Sequence, residues 1–181
     1  MTRLSYSIVT TVAVSLLGVA PIASFAPRVI WNASASTPVG FYTIGKVGNL
    51  DVTDLVAVDA PEPLATFLSD GGYLPRGVPL LKRIAALPGQ RVCRTGLAIT
   101  VDGVPMGDAL DRDRRGRPLP VWQGCRLVAA GELFLMNWQV RDSLDGRYFG
   151  PLPATAVIGR ATPLYTDEDG DGRFVWRAPT R

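Results

Sequence analysis

Histidine is missing from all 181 residues. That absence excludes a Ser-His-Asp triad, a Cys-His pair and any metal held through imidazole. Cysteine occurs only at positions 93 and 125, too few for an all-cysteine zinc centre, so neither a metal nor another cofactor is expected. Lysine is nearly as scarce: Lys46 and Lys82 stand against 17 arginines. An arginine keeps its proton under all ordinary conditions, whereas a lysine can give it up at tolerable cost, so each lysine is a candidate for chemistry. The charge is close to balanced, at +3 from 19 basic and 16 acidic side chains. The basic residues are scattered, which gives no sign of a nucleic-acid partner.

What the chain has is an apolar fraction of 47%, unevenly spread. Residues 4–27 form a run of 24 without one charge. About 20 apolar residues suffice to cross a bilayer core, so the run is expected to be a retained transmembrane anchor. The competing reading is a cleaved signal peptide, with Ser24-Phe25-Ala26 as a small-x-small cleavage site. Against it, Pro27 would follow the cut and only Arg3 marks a basic N-terminal region. Orientation is weakly signalled, and the N-terminus is placed in the cytoplasm with residues 28–181 outside as one domain.

In that domain the apolar segments are short: 41–44, 55–58, 80–87, 97–101, 133–136 and 156–165. Turn residues such as Pro88-Gly89 and Asp102-Gly103 separate them. No long amphipathic period and no repeat is present. The expected fold is therefore mainly β, built of twisted antiparallel strands behind a single N-terminal transmembrane helix. Cys93 and Cys125 fall in the part placed outside the membrane, where a disulfide is the natural state, with two structural free thiols as the alternative.

Without imidazole, a serine hydroxyl can be activated by a neutral lysine amine, provided burial lowers the amine pKa from ~10.4 to ~7–8. Four of the eight serines lie in the apolar run, leaving Ser34, Ser36, Ser69 and Ser143. In a strand, Lys82 shares a face with Leu80 and Ile84, which is the right setting for a desolvated amine. The plainer alternative is a charge that blunts an edge strand. Lys46 stands near Gly45 and Gly48 in a turn and is read as solvated.

Three ordered blocks resemble the type I signal peptidase family of Ser-Lys proteases. The first is Asn32-Ala33-Ser34-Ala35-Ser36-Thr37-Pro38-Val39-Gly40-Phe41-Tyr42; the second is the lysine block at 81–92. The third joins 131–137 to Ser143-Leu144-Asp145-Gly146-Arg147 and to 157–161. The Ser-x-Pro-x-Gly form of the first block is similar to the conjugal-transfer peptidase (TraF-type) branch. The resemblance implies Ser36 as nucleophile, Lys82 as general base and Ser143 as the hydroxyl that holds the lysine in line. It implies Asp145 and Arg147 as a bracing pair, with a direct role also credited to the aspartate in the conjugal branch. Ser34 would help to hold the oxyanion. Taking Ser34 as the nucleophile instead would put Pro38 four positions later, which fits neither branch.

The activity so implied is a membrane-anchored serine endopeptidase of the bacterial inner membrane, working on the periplasmic side. Its partners would be the membrane and an exported precursor, a pilin precursor in the conjugal branch, with small residues before the cut. Rival readings are a general signal peptidase, a self-cleaving regulator, and a catalytically silent module of a secretion apparatus. Two further motifs read as surface. The acidic run 167–172 opens like a calcium loop, but position twelve is Ala178 instead of glutamate. The mixed-charge run 111–118 reads as an exposed loop.

Overall fold

The computed structural model describes residues 3–19 and 28–179. The first element is helix α1 (Arg3–Val19). No helix among the described residues is long and apolar enough to cross a membrane. The rest of the expected anchor, residues 20–27, lies outside the described residues.

The chain then runs through β1 (Val29–Asn32), β2 (Val39–Gly45), β3 (Leu55–Val58), helix α2 (Leu64–Asp70) and β4 (Leu80–Ala86). After these come β5 (Arg91–Thr95), β6 (Ala98–Val101), β7 (Val104–Asp108), β8 (Gly124–Leu127) and β9 (Glu132–Leu135). Helix α3 (Gly146–Phe149), β10 (Leu152–Pro153), β11 (Val157–Asp167) and β12 (Phe174–Trp176) complete the order. The expected mainly antiparallel β architecture is present. A large sheet runs β1-β2-β11-β3-β4-β9-β10, with β12 also on β11, and a smaller one runs β7-β6-β5-β8.

Strand β3 is buried at every residue and lies between β11 and β4, which explains its unbroken apolar sequence Leu55-Val56-Ala57-Val58. Lys82 pairs with Val56 across β3, and β4 is itself covered by β9 on its other side. Lys82 therefore stands in an interior strand, which removes the edge-strand alternative. The two sheets meet over a core that includes Val92, Ile99, Trp122, Phe134 and Met136. Between β6 and β7, Asp102 (φ 48°) and Gly103 (φ 82°) make the two-residue turn that the sequence signals.

Gly146 positions the site. A Cβ there would lie 2.6 Å from the Phe134 ring and 2.8 Å from the Leu135 carbonyl oxygen. Only glycine lets the start of α3 sit this closely on β9, and the residues on either side of it are Asp145 and Arg147.

Cys93 in β5 and Cys125 in β8 face each other in register and are joined as a disulfide. Neither lines the cleft described below. Closing a loop across a sequence separation of 32 should stabilise the domain by about 4 kcal/mol in the chain-entropy model. Replacing both cysteines by alanine is expected to lower the unfolding free energy by about that amount in urea. A loss below about 0.5 kcal/mol would show that the small sheet holds its register without the covalent link.

Candidate active site

Of the residues flagged in the sequence, Ser34, Ser36, Lys82 and Ser143 line one groove, with Asp145 and Arg147 buried next to Ser143. Strand β4 carries Lys82, the loop before β2 carries Ser34 and Ser36, and the segment after β9 carries Ser143, Asp145 and Arg147. Lys82 is only 4% exposed, and its Nζ donates to Ser143 Oγ at 2.9 Å and to Ser36 Oγ at 3.4 Å. Lys46 is exposed in the β2–β3 connection. Ser69 is held on α2 by the Thr66 carbonyl and lies outside this cluster.

Burial pushes the Lys82 amine down from 10.5 to about 8. Removal of water is the largest cause; Asp145 pulls the other way and Arg147 opposes Asp145. At pH 7 about one molecule in ten therefore holds a neutral amine beside Ser36. That fraction is enough to supply a general base.

Asp145 and Arg147 form a buried, two-pronged pair, with Nε and Nη2 each 2.9 Å from a carboxylate oxygen. The guanidinium also donates to the carbonyls of Val140 (2.7 Å), Arg141 (3.0 Å) and Ser143 (3.1 Å). It thereby fixes the turn that presents Ser143 to Lys82. Asp145 caps α3 by accepting the Arg147 N–H, and it accepts the Asn137 N–H at 3.0 Å. In this structure the pair acts through Ser143 and the backbone, as a brace.

Ser34 lies on the same loop as Ser36, where its hydroxyl accepts the Ser36 N–H at 3.3 Å and donates to Ser36 Oγ at 3.0 Å. It therefore already occupies the N–H that an oxyanion would need, and can share that oxygen by turning its own proton outward.

Two asparagines were not singled out in the sequence. Asn137 Nδ2 donates to the Ser36 carbonyl (2.8 Å) and to the Leu81 carbonyl (3.1 Å), while its Oδ1 accepts the Arg83 N–H (3.0 Å). One buried amide thus ties the serine loop to the lysine strand. Asn32 does the same within the loop, donating to the Ser34 and Pro38 carbonyls and accepting the Ser34 N–H. Tyr42 donates to the Pro38 carbonyl at 2.7 Å, and burial pushes its phenol up to about 12, so it remains a donor. The one available signal was that Asn32 and Asn137 bound the quoted blocks.

Ser36 lies between two hollows. One, of about 340 Å³, is lined by Leu80, Lys82, Leu110, Leu144 and by Arg114, Arg115 and Arg117 of the 111–118 loop. The other, of about 380 Å³, is lined by Thr37, Trp138 and the acidic run at Asp167-Glu168-Asp169. That run is a turn between β11 and β12: the Asp167 carboxylate accepts the N–H groups of Asp171 and Gly172.

An antiparallel β domain whose groove ends on a serine hydroxyl beside a buried amine has the makings of a hydrolase that needs no imidazole. The sequence model of the family described as signal peptidase, peptidase S26, matches residues 1–166, and the chain belongs to that family, which makes it a serine peptidase. It is 35% identical over 145 residues to a probable conjugal transfer protein TraF of Sinorhizobium fredii (strain NBRC 101917 / NGR234), covering 75% of this chain and 76% of that one. It is 34% identical over 147 residues to the conjugal transfer protein TraF of Agrobacterium fabrum (strain C58 / ATCC 33970), covering 75% and 81%. A plasmid transfer protein TraF of Escherichia coli is 31% identical over 147 residues, again covering 75% and 81%.

Lys82 titrates near 8 when folded and near 10.5 when unfolded, so between these values the unfolded chain binds the extra proton and stability rises with pH. Below about pH 8 the full cost of the buried ammonium is present. Lys82→Met lacks this dependence. The unfolding free energy of the wild type relative to Lys82→Met is expected to climb by roughly 3 kcal/mol between about pH 8 and pH 10.5. A flat difference in urea titrations across that window would show that the amine is not desolvated.

Proposed function

We propose that the protein is a membrane-anchored serine endopeptidase that uses Ser36 and Lys82 to mature exported precursors, a pilin precursor in conjugal transfer above all. The observation that carries the reading is the Lys82 amine, buried yet within 3.4 Å of Ser36 Oγ and fixed at 2.9 Å by Ser143. The conjugal setting is supported by the names of the relatives, each a TraF conjugal or plasmid transfer protein. The apolar run at 4–27 supports an anchor, and the disulfide suits an oxidising compartment, the periplasmic face of the bacterial inner membrane.

The neutral amine of Lys82 takes the Ser36 proton as Oγ attacks the scissile carbonyl carbon. The oxyanion is held by the Ser36 N–H and the Ser34 hydroxyl. When the tetrahedral intermediate collapses, the C–N bond breaks and the Lys82 ammonium protonates the leaving amine. Water, or another amine, then attacks the acyl-enzyme with Lys82 again taking the proton; the ester C–O bond to Ser36 breaks, the new acid or amide leaves, and Lys82 returns the proton to Ser36 Oγ. Ser143 keeps Nζ on line throughout, and Asp145 and Arg147 hold Ser143.

Membranes carrying the wild type are expected to cut a candidate pilin precursor, while Ser36→Ala and Lys82→Arg leave it whole, as read by mass spectrometry of the products. Equal behaviour of all three on this precursor and on a standard signal-peptide precursor would favour a catalytically silent module. Cutting of the latter alone would favour a general signal peptidase.

The required base is the neutral amine, so kcat/KM should rise with pH through about 8. Ser34→Ala should lower kcat about 100-fold with KM little changed. A Ser34→Ala enzyme at full kcat would remove that hydroxyl from the oxyanion site.

A further inference from the structure

The mixed-charge run at 111–118 is exposed, as its sequence suggests, but it is neither loose nor remote from the groove. Arg112 and Pro118 pair as an isolated antiparallel bridge, and the Asp113 N–H donates to the Arg117 carbonyl at 2.9 Å. The Asp113 carboxylate accepts the N–H groups of Arg115 and Arg117, both at 2.8 Å. It also accepts Arg117 Nε at 2.7 Å and the Tyr73 hydroxyl at 2.6 Å. Arg117 lies over the Tyr73 ring, 4.5 Å from its centroid, and donates to the Gly71 carbonyl. The loop is thus clamped to the turn that ends α2, and the next two side chains, Arg114 and Arg115, stand at the mouth of the hollow that leads to Ser36.

The charges around that hollow do not balance. Arg117 is matched by Asp113, and Arg114 by Asp142. The second of these is a surface pair, with Arg114 84% exposed, and such pairs are held weakly and exchange readily. Arg115 has no carboxylate partner among the described residues, although its backbone is pinned by Asp113. Below the arginines the wall is apolar, formed by Leu74, Leu80, Leu110, Leu119 and Leu144. On the far side of Ser36 the wall carries three carboxylates, Asp167, Glu168 and Asp169, against one cation, Arg83, and so is acidic on balance.

We propose that this arginine-mouthed hollow selects precursors with an aspartate or glutamate a few residues from the scissile bond, its carboxylate read by Arg115 together with Arg114. The proposal rests on the reading of Ser36 as the nucleophile and adds the substrate class. The leucine wall takes the apolar stems of the same segment, and the guanidiniums take the carboxylate that projects past them. The acidic far wall makes the preference one-sided: a carboxylate is favoured on one flank of the cut and disfavoured on the other.

The test uses the full chain in detergent micelles with fluorogenic peptides that have small residues before the cut. Glu, Gln or Lys is placed in turn at each position from about five before the bond to about three after it. At one position, Glu is expected to raise kcat/KM over Gln about threefold to tenfold, and the ratio should fade as salt is raised to roughly 0.5 M. The double variant Arg114→Glu/Arg115→Glu should reverse the preference at that same position in favour of Lys. Binding of the same peptides to Ser36→Ala, followed by fluorescence anisotropy, gives a readout independent of turnover. Glu-selective binding that the charge reversal inverts, without cleavage by the wild type, would uphold the pocket and sink the peptidase reading for these peptides. Glu-to-Gln ratios within about twofold at every position, in both binding and turnover and with or without the reversal, would overturn the proposal.

Discussion

The buried pair between Asp145 and Arg147 is the constraint on which the site depends. Taking two charges out of water costs several kcal/mol per ion before their attraction is counted. Here the cost is offset by a two-pronged contact and by backbone carbonyls that occupy the remaining guanidinium protons. Those carbonyls belong to the turn that carries Ser143, so satisfying the arginine and aiming the serine are one event. The pair also sets the electrostatics. A lone carboxylate near Lys82 would hold it as an ammonium; Arg147 opposes that pull and leaves desolvation as the dominant influence. Gly146 between them gives the tight approach to β9 that makes the geometry possible.

Lacking histidine, the chain can offer a serine hydroxyl a basic partner in the form of a desolvated amine. The fold does so by placing the amine on an interior strand, covered by β3 and β9 on either side. Asn137 then holds the Ser36 loop against that strand and Asn32 holds the loop's own backbone, both through backbone groups that leave the Ser36 hydroxyl unencumbered by either amide. Rigidity comes from amides and reactivity from a hydroxyl and an amine, a division of labour that separates positioning from chemistry.

Much of this is legible in the sequence, and the rest is hidden for separate physical reasons. Strand β3 is plain because a central strand covered on both faces carries a continuous apolar run, and β4 because apolar residues flank Lys82-Arg83 on both sides. Strands β7 and β8 were missed because they are exposed edge strands whose residues give no alternation to read. Helix α2, with seven residues and no side-chain cap, is too short to show a period. Ser36, Lys82 and Ser143, which the structure brings together, are legible because the resemblance points at all three and scarcity at the lysine. Asn137 is not, since its role lies in contacts with residues 56 and 101 positions away. The 111–118 loop looked solvated for the same reason: the hydroxyl that clamps Asp113 comes from Tyr73, 40 positions earlier.

The scarcity of lysine has a spectroscopic consequence. With one amine buried on β4 and one exposed near β2, protein grown on isotope-labelled lysine carries only two side-chain nitrogens to observe. Their surroundings differ so much that the two resonances need little assignment work. Protonation at the centre of the groove can then be followed directly as a precursor is added, with no substitution and no attached probe.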